Sequence, residues 1–208
     1  MITPISCMLS RITCPTDGVL CCGERVRIVW PAESDVDQIT ELRNRPAIRR
    51  WFLDSRPLDP QKSREWLLHG MRRGEEAILT IRWMETDAFL GTIGWSSWDQ
   101  LQRTACFGRL MIDHRAQIQL RQKMAPPYVG AALDAALALL EFAFTHMGLQ
   151  AITTWYLEGN HLAARANRAV GMEETGRMTR CCPDGSLVRT VELRLDRDRW
   201  TRLRACDD

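Results

Sequence analysis

Residues able to hold an anion stand out first at Pro127–Ala132, PYVGAA, ahead of a run of small and apolar residues that reaches Phe144. A helix starting here exposes backbone N–H groups that no preceding turn satisfies, and the macrodipole adds partial positive charge to them. Gly130, Ala131 and Ala132 carry almost no side chain, so a pyrophosphate can come close to the backbone. The stretch has neither the G-K-[ST] of a P-loop nor the G-x-G-x-x-G of a dinucleotide fold. The same residues also suit an ordinary alanine-rich core helix with a tight start, and this stretch alone leaves both readings open.

Metal chemistry has weaker support. The eight cysteines include Cys7, Cys14, Cys21 and Cys22 near the start and the vicinal pair Cys181–Cys182, without the C-x₂₋₄-C pairs of a zinc site. The expectation is reduced thiols, no metal and a cytoplasmic chain. The 208 residues, 45% of them hydrophobic, suit one domain with a substantial core. A net charge of +2 gives no electrostatic footprint for nucleic acid. All but two of the 28 basic residues are arginine, which reads first as codon bias and second as a supply of phosphate-binding forks. No apolar run is long enough to span a bilayer, and the first residues lack the basic and apolar blocks of a signal peptide.

The elements that would position the helix start follow from periodicity. RVRIVWP (Arg25–Pro31) alternates as a strand. A helix follows, with Ser34 placed to cap it, Val36, Ile39 and Leu42 on one face, and Pro46 ending or interrupting it. A second helical region has Asp59 as cap, Pro60 at the first position, Trp66, Leu67 and Met71 at helical spacing, and Gly74 as a stop. Ala77–Met84, Phe89–Trp98 and Thr104–Ile112 read as an antiparallel meander joined by short polar turns. The segment DHRAQIQLRQKMAPPY is polar and irregular, and a long helix follows from about Val129 to Met147. Leu149–Leu157 is a strand, Asn160 caps a short helix that stops at Gly171, and a final hairpin turns at PDGS through Gly185. The fold class is α/β: a mixed, mostly antiparallel seven-stranded sheet with helices on both faces and one right-handed strand–helix–strand crossover. Residues 1–23 read as an extension, 24–195 as the domain and 196–208 as a tail.

In this succession the chain resembles the GNAT family of N-acetyltransferases from about Glu24 to Leu195. GRLMI resembles the family's fourth strand, PYVGAA its Q/R-x-x-G-x-G/A pyrophosphate loop, and NHLAARANRAVGMEETGRM its N-x-x-A-x-x-x-Y-x-x-x-G-F segment. LRNRPAIRRWF, with Trp66 later, looks like the branch of ribosomal-protein N-terminal and amino-sugar acetyltransferases. There are departures. Pro127 stands where the family has Gln or Arg, and Asn167 where a Tyr often protonates the leaving thiolate. Met172 replaces a Phe, and the 15 positions from Ile112 to Pro127 exceed the usual connection.

The resemblance implies direct attack of an amine on the thioester of acetyl-CoA, with a backbone N–H beside the fourth strand stabilising the oxyanion. It implies that Leu110, Met111 and Ile112 hold the pantetheine arm and that Val129, Gly130, Ala131, Ala132 and Leu133 hold the pyrophosphate, with Asn160 and Asn167 lining the cofactor. Glu158, where the fifth strand ends, and His114, directly after the fourth, are candidate bases, each equally a surface residue by its sequence context. Glu75 and Glu76 read as solvated. Arg109 holds an acidic substrate group or makes a surface ion pair, and Trp51 faces a sugar or packs in the core. The expected acceptor is a small-molecule amine such as an amino sugar, taken by a monomer or homodimer with no nucleic-acid or membrane partner. The alternatives are a protein N-terminus as acceptor, or a catalytically silent acyl-CoA-binding module.

Overall fold

Alternation in the second strand decides where the core begins. Val26 and Ile28 are fully buried while their neighbours Arg25 and Arg27 reach outward, so Val26–Val29 (β2) lies across a sheet with one face sealed. The structure is a computed structural model that describes residues 18–70, 76–121 and 130–205. Its eight strands are ordered β1-β2-β3-β4-β5-β6-β8-β7. They are β1 (Val19–Cys22), β2, β3 (Ala77–Trp83), β4 (Phe89–Asp99), β5 (Thr104–Ile112), β6 (Ala151–Leu157), β7 (Glu173–Cys181) and β8 (Leu187–Asp196). Every neighbouring pair is antiparallel except β5 and β6.

The fold class agrees with the sequence; the strand count does not. The eighth strand is β1, which pairs Val19 with Val29 and Cys22 with Arg27, inside the stretch expected to be an extension. Four residues with two cysteines carry too little pattern to announce a strand, and pairing with β2 supplies what the sequence does not. Two further differences have the same origin. His114–Arg121 is a helix (α4), although its polarity reads as irregular, and Arg197–Arg204 is a helix (α7) rather than a tail. α7 is held by Trp200, which stacks on Phe144 at 5.9 Å and donates Nε1–H to Glu141 at 3.1 Å.

Helices cover both faces. On one face lie α1 (Asp35–Asn44), the single turn α2 (Pro46–Arg49) and α3 (Pro60–Gly70). Val36, Ile39, Leu42 and Leu67 pack there with Ile78 and Met111 of the sheet. Ser34 does not cap α1 with its side chain; Asp35 is buried instead, accepts from Ala32 N at 2.9 Å and pairs with Arg82. Asp59 accepts from Lys62 N at 2.9 Å, as a cap should. On the other face α5 (Ala131–Thr145) lies on β1, β2, β4 and β5, and α6 (His161–Ala169) lies beside α5. The main core fills between α5 and the sheet around Leu79, Ile81, Leu90, Trp95, Leu139, Leu140 and Ile152.

One glycine is fixed by this packing. A Cβ on Gly94 of β4 would overlap the carbonyl oxygen of Ala77 on β3. Gly94→Ala is expected to destabilise the fold by about 2–3 kcal/mol, the range of overpacking in a closed interior. Urea unfolding checks this, and an unchanged midpoint would show that β3 and β4 can separate there.

Candidate active site

The one parallel pair in the sheet creates the site. β5 and β6 pair only at Thr104–Ala151, Ala105–Ile152 and Cys106–Thr153. Beyond those residues β5 continues beside β4, β6 continues beside β8, and the two part as the arms of a fork. β5 also holds one more residue than β4 between its pairs Met111–Thr92 and Gly108–Gly94. Arg109 takes the left-handed region at φ 55°, and its carbonyl accepts from the Thr92 hydroxyl at 2.7 Å. Such a bulge re-aims side chains and bends the strand, which helps it leave β6.

Register shows which backbone groups face the gap. Asp113 N–H donates to Leu90 O of β4 at 2.7 Å. Alternation then turns Met111 toward β4 as well, and turns the amides of Leu110 and Ile112 into the fork. The three residues expected to act together therefore divide: Leu110 and Ile112 present backbone to the gap, while Met111 serves the β4 ladder and buries its side chain under α1.

The fork opens toward the start of α5. Asp134, in that helix's first turn, accepts from Glu24 N at 2.6 Å and Arg25 N at 2.9 Å in the β1–β2 turn. Arg25 O in turn accepts from Met84 N just past β3, Trp83 N donates to Ala88 O just before β4, and Leu90 O of β4 accepts from Asp113 N. The helix start and the free ends of both fork strands thus share one end of the sheet. Gly130 is the N-cap, at φ 99° and ψ 149°, with no side-chain cap bond among the described residues. The first intrahelical bond runs from Asp134 N to Gly130 O at 3.0 Å, so the N–H groups of Ala131, Ala132 and Leu133 precede the ladder. Two amides engage the Asp134 carboxylate, so its oxygens point to the β1–β2 turn. Val129 lies outside the described residues.

Glu158 and His114 stand at the open end rather than at the split. Glu158 follows β6; it accepts from Arg177 Nη1 at 2.7 Å and faces Arg189 Nε at 3.6 Å, so both oxygens meet arginines of the last hairpin. His114 begins α4 and is exposed, four positions past Leu110 and so about 13 Å along extended chain. Beside it, hydrogen bonds from Arg45 hold the Asp113 carboxyl below the usual carboxylate range. Asn160 caps α6 by accepting from Ala163 N at 3.1 Å, which occupies its side-chain oxygen. Asn167 lies on α6, half-buried. Trp51 is half-buried with the Arg50 guanidinium 5.0 Å from its ring.

At the split the structure gathers residues that periodicity could not connect. Cys106 marks the last paired position, opposite Ser96 of β4 and Thr153 of β6. Burial pushes its thiol up, so it remains protonated and is a poor nucleophile. On one side Arg180 of β7 bonds both carboxylate oxygens of Glu192 of β8 at 3.1 Å and lies 4.7 Å from the Trp155 ring. On the other, Arg109 pairs with Glu76 and lies 4.9 Å from the Trp66 ring. Glu76 is therefore engaged rather than solvated. Two tryptophan–arginine–carboxylate groups flank the split on the face opposite α5. Their members come from α3, the residue before β3, β5, β6, β7 and β8, and no sequence spacing relates them. Among the described residues no group of His, Cys, Asp and Glu is placed to hold a metal ion, and no helix is long and apolar enough to cross a membrane.

Solved structures of similar shape include acetyltransferases. The chain is similar to a GNAT-family acetyltransferase from Bacillus anthracis, with 16% identity, 86% of this chain and 99% of that one covered, and a TM-score of 0.69. It is similar to spermidine N-acetyltransferase from Vibrio cholerae, solved with CoA and spermine, at 14% identity over 85% and 98% of the two chains and a TM-score of 0.71. It is also similar to apo FdhC, a nucleotide-linked sugar GNAT, at 16% identity over 87% and 92% with a TM-score of 0.65. At such identities the likeness concerns the fold. No curated protein sequence matches the chain. The model of the acetyltransferase (GNAT) domain matches residues 25–173, most of the chain and all of the fork. The chain therefore belongs to the GNAT family and is, as a member of it, an acetyl-CoA-dependent acetyltransferase.

Proposed function

We propose that the protein acetylates the primary amine of a small metabolite, with amino sugars the first class to test, by direct attack on the thioester. The observation that supports this most is the fork between β5 and β6, whose free ends share one end of the sheet with the start of α5. The residues present fit acetyl-CoA: three helix N–H groups that precede the intrahelical ladder suit a pyrophosphate, and the fork-facing amides of Leu110 and Ile112 suit an amide-bearing arm. When bound, acetyl-CoA supplies the activated acetyl group.

In this reading Gly130 allows close approach, and Ala131, Ala132 and Leu133 donate to the pyrophosphate. Ile112 and Leu110 hold the arm, and Leu110, next to the bulge, donates its N–H to the thioester oxygen where charge develops. Positioning across the fork contributes most of the remaining rate. The amine enters from the opposite face, between the two tryptophan–arginine–carboxylate groups. Its proton leaves through water, and His114 at the open end is the proposed acceptor, because arginines occupy both oxygens of Glu158. Asn167 cannot act as an acid, so solvent protonates the departing sulfur.

Acetyl-CoA titration by calorimetry, followed by thiol release across amino sugars and other small amines, tests the proposal. Binding in the micromolar range with amine-dependent thiol release is expected, and His114→Gln should reduce kcat about tenfold, less than a directly bonded general base contributes. Binding with turnover on peptide N-termini alone would overturn the small-metabolite reading. Binding without turnover on any amine would overturn direct transfer to a metabolite in favour of a silent site.

A further inference from the structure

We propose that the acceptor amine carries an anionic group, a carboxylate or a phosphate, and that Arg43 and Arg109 receive it on the acceptor face of the fork. The inference rests on the reading of that face as the acceptor side and adds the chemical class of the substrate.

Arg43 is brought to the fork by α1. Leu42 and Met111 belong to one apolar cluster, and Arg45 pairs with Asp113 at 2.8 Å, so the end of α1 crosses β5 just beyond its bulge. Arg43, between those two anchors, is only 6% exposed. Its guanidinium lies 3.7 Å from the Phe52 ring centre, and Nη2 donates to Asp54 O. Nη1 is buried and has no hydrogen-bond partner among the described residues. An arginine keeps its charge in such a place, and an unmatched N–H of a charged group is expensive to bury. A ligand oxygen would complete it.

The surrounding charge has the sign that an anion needs. Arg49 and Arg109 both act on Arg43 as like charges, and Asp54 is the opposing acid. Both Asp54 carboxylate oxygens are already held by Arg56, at 2.9 Å from Nε and 2.7 Å from Nη2. Glu76 is matched by Arg109. Arg109 itself is aimed off the sheet by its left-handed bulge, toward Trp66 and α3, where its planar fork stays partly exposed. Two guanidinium groups, one buried with a spare donor and one at the surface, offer the planar multi-donor geometry that carboxylates and phosphates prefer.

The test uses the full chain and matched probes: glucosamine against glucosamine 6-phosphate, and serinamide against serine. In calorimetry, and in thiol-release kinetics as KM, the anionic member of at least one pair should bind about tenfold or more tightly than its neutral partner, the scale of a charge-assisted contact. Which pair responds tells phosphate from carboxylate. Arg43→Gln and Arg109→Gln should each bring that ratio below about threefold while acetyl-CoA affinity is retained. If Arg43→Gln does not fold, Arg109→Gln alone carries the test. Ratios near one in both pairs, or a ratio that survives in a folded variant, would overturn the proposal and leave Arg43 a structural residue. Loss of acetyl-CoA binding by the unaltered chain would instead sink the transferase reading, which the anion titrations do not depend on.

Discussion

Gly130→Glu abolishes acetyl-CoA binding while the chain stays folded: this is the expected result, with affinity down by a factor of 100 or more, about 3 kcal/mol. Two effects add. The residue sits at φ 99°, where a side chain brings strain of about 1–3 kcal/mol. A carboxylate at the helix start also meets the charge that the N–H groups of Ala131, Ala132 and Leu133 are placed to receive. Gly130→Ala separates the two, since it carries the strain without the charge and should lose less. Calorimetry measures the affinity and circular dichroism the fold. Retained binding in Gly130→Glu would show that this helix start is structural only.

Asp134→Ala should have the largest effect on stability, about 3–4 kcal/mol. The Asp134 side chain is buried, and the variant leaves the amides of Glu24 and Arg25 without their charged acceptor, each such bond contributing about 1.5–3 kcal/mol. For a chain of this size that corresponds to a fall in Tm of roughly 10 °C. Asp134→Asn keeps one acceptor oxygen but turns an NH₂ toward the other amide, so it should recover about half of the loss. The neighbouring Gly23 supports the same reading, because a Cβ there would overlap Asp134 Oδ1. The bond is also what keeps the start of α5 against the sheet end where the fork opens, so a variant that folds should bind acetyl-CoA more weakly. An unchanged Tm in Asp134→Ala would mean that water replaces the carboxylate without loss.

Taken with the fork, these two positions describe one device. Asp134 fixes the helix to the β1–β2 turn with its carboxylate, and Gly130 adds no side chain at the start of the same helix. A carboxylate in the first turn would ordinarily oppose an incoming anion, yet here both its oxygens are engaged by the amides of the β1–β2 turn. Anchoring and close approach are thus served by residues four apart in one helical turn.

The sequence by itself determined the elements with strong local periodicity and the points where the chain must turn. The strand-forming runs β2 to β5, the long apolar α5, the Asn160 cap and the Gly185 turn are all encoded within a few residues, because side-chain spacing and backbone freedom are local properties. Together with the ordered motifs, these also carry the family. Weakly patterned elements were not legible: β1 is four residues long, α4 is polar, and α7 shows one buried tryptophan. Only the tertiary structure decided where β5 and β6 stop pairing, since that depends on register between strands 47 residues apart and on a bulge at Arg109 that no residue type announces. For the same reason it alone brought Arg43, Trp66, Glu76, Arg180 and Glu192 around the split, and it turned Glu158 from a free carboxylate into the partner of two arginines. Contacts between distant segments are set by the packing of whole faces, and a linear pattern records which face a residue takes but not what it meets there.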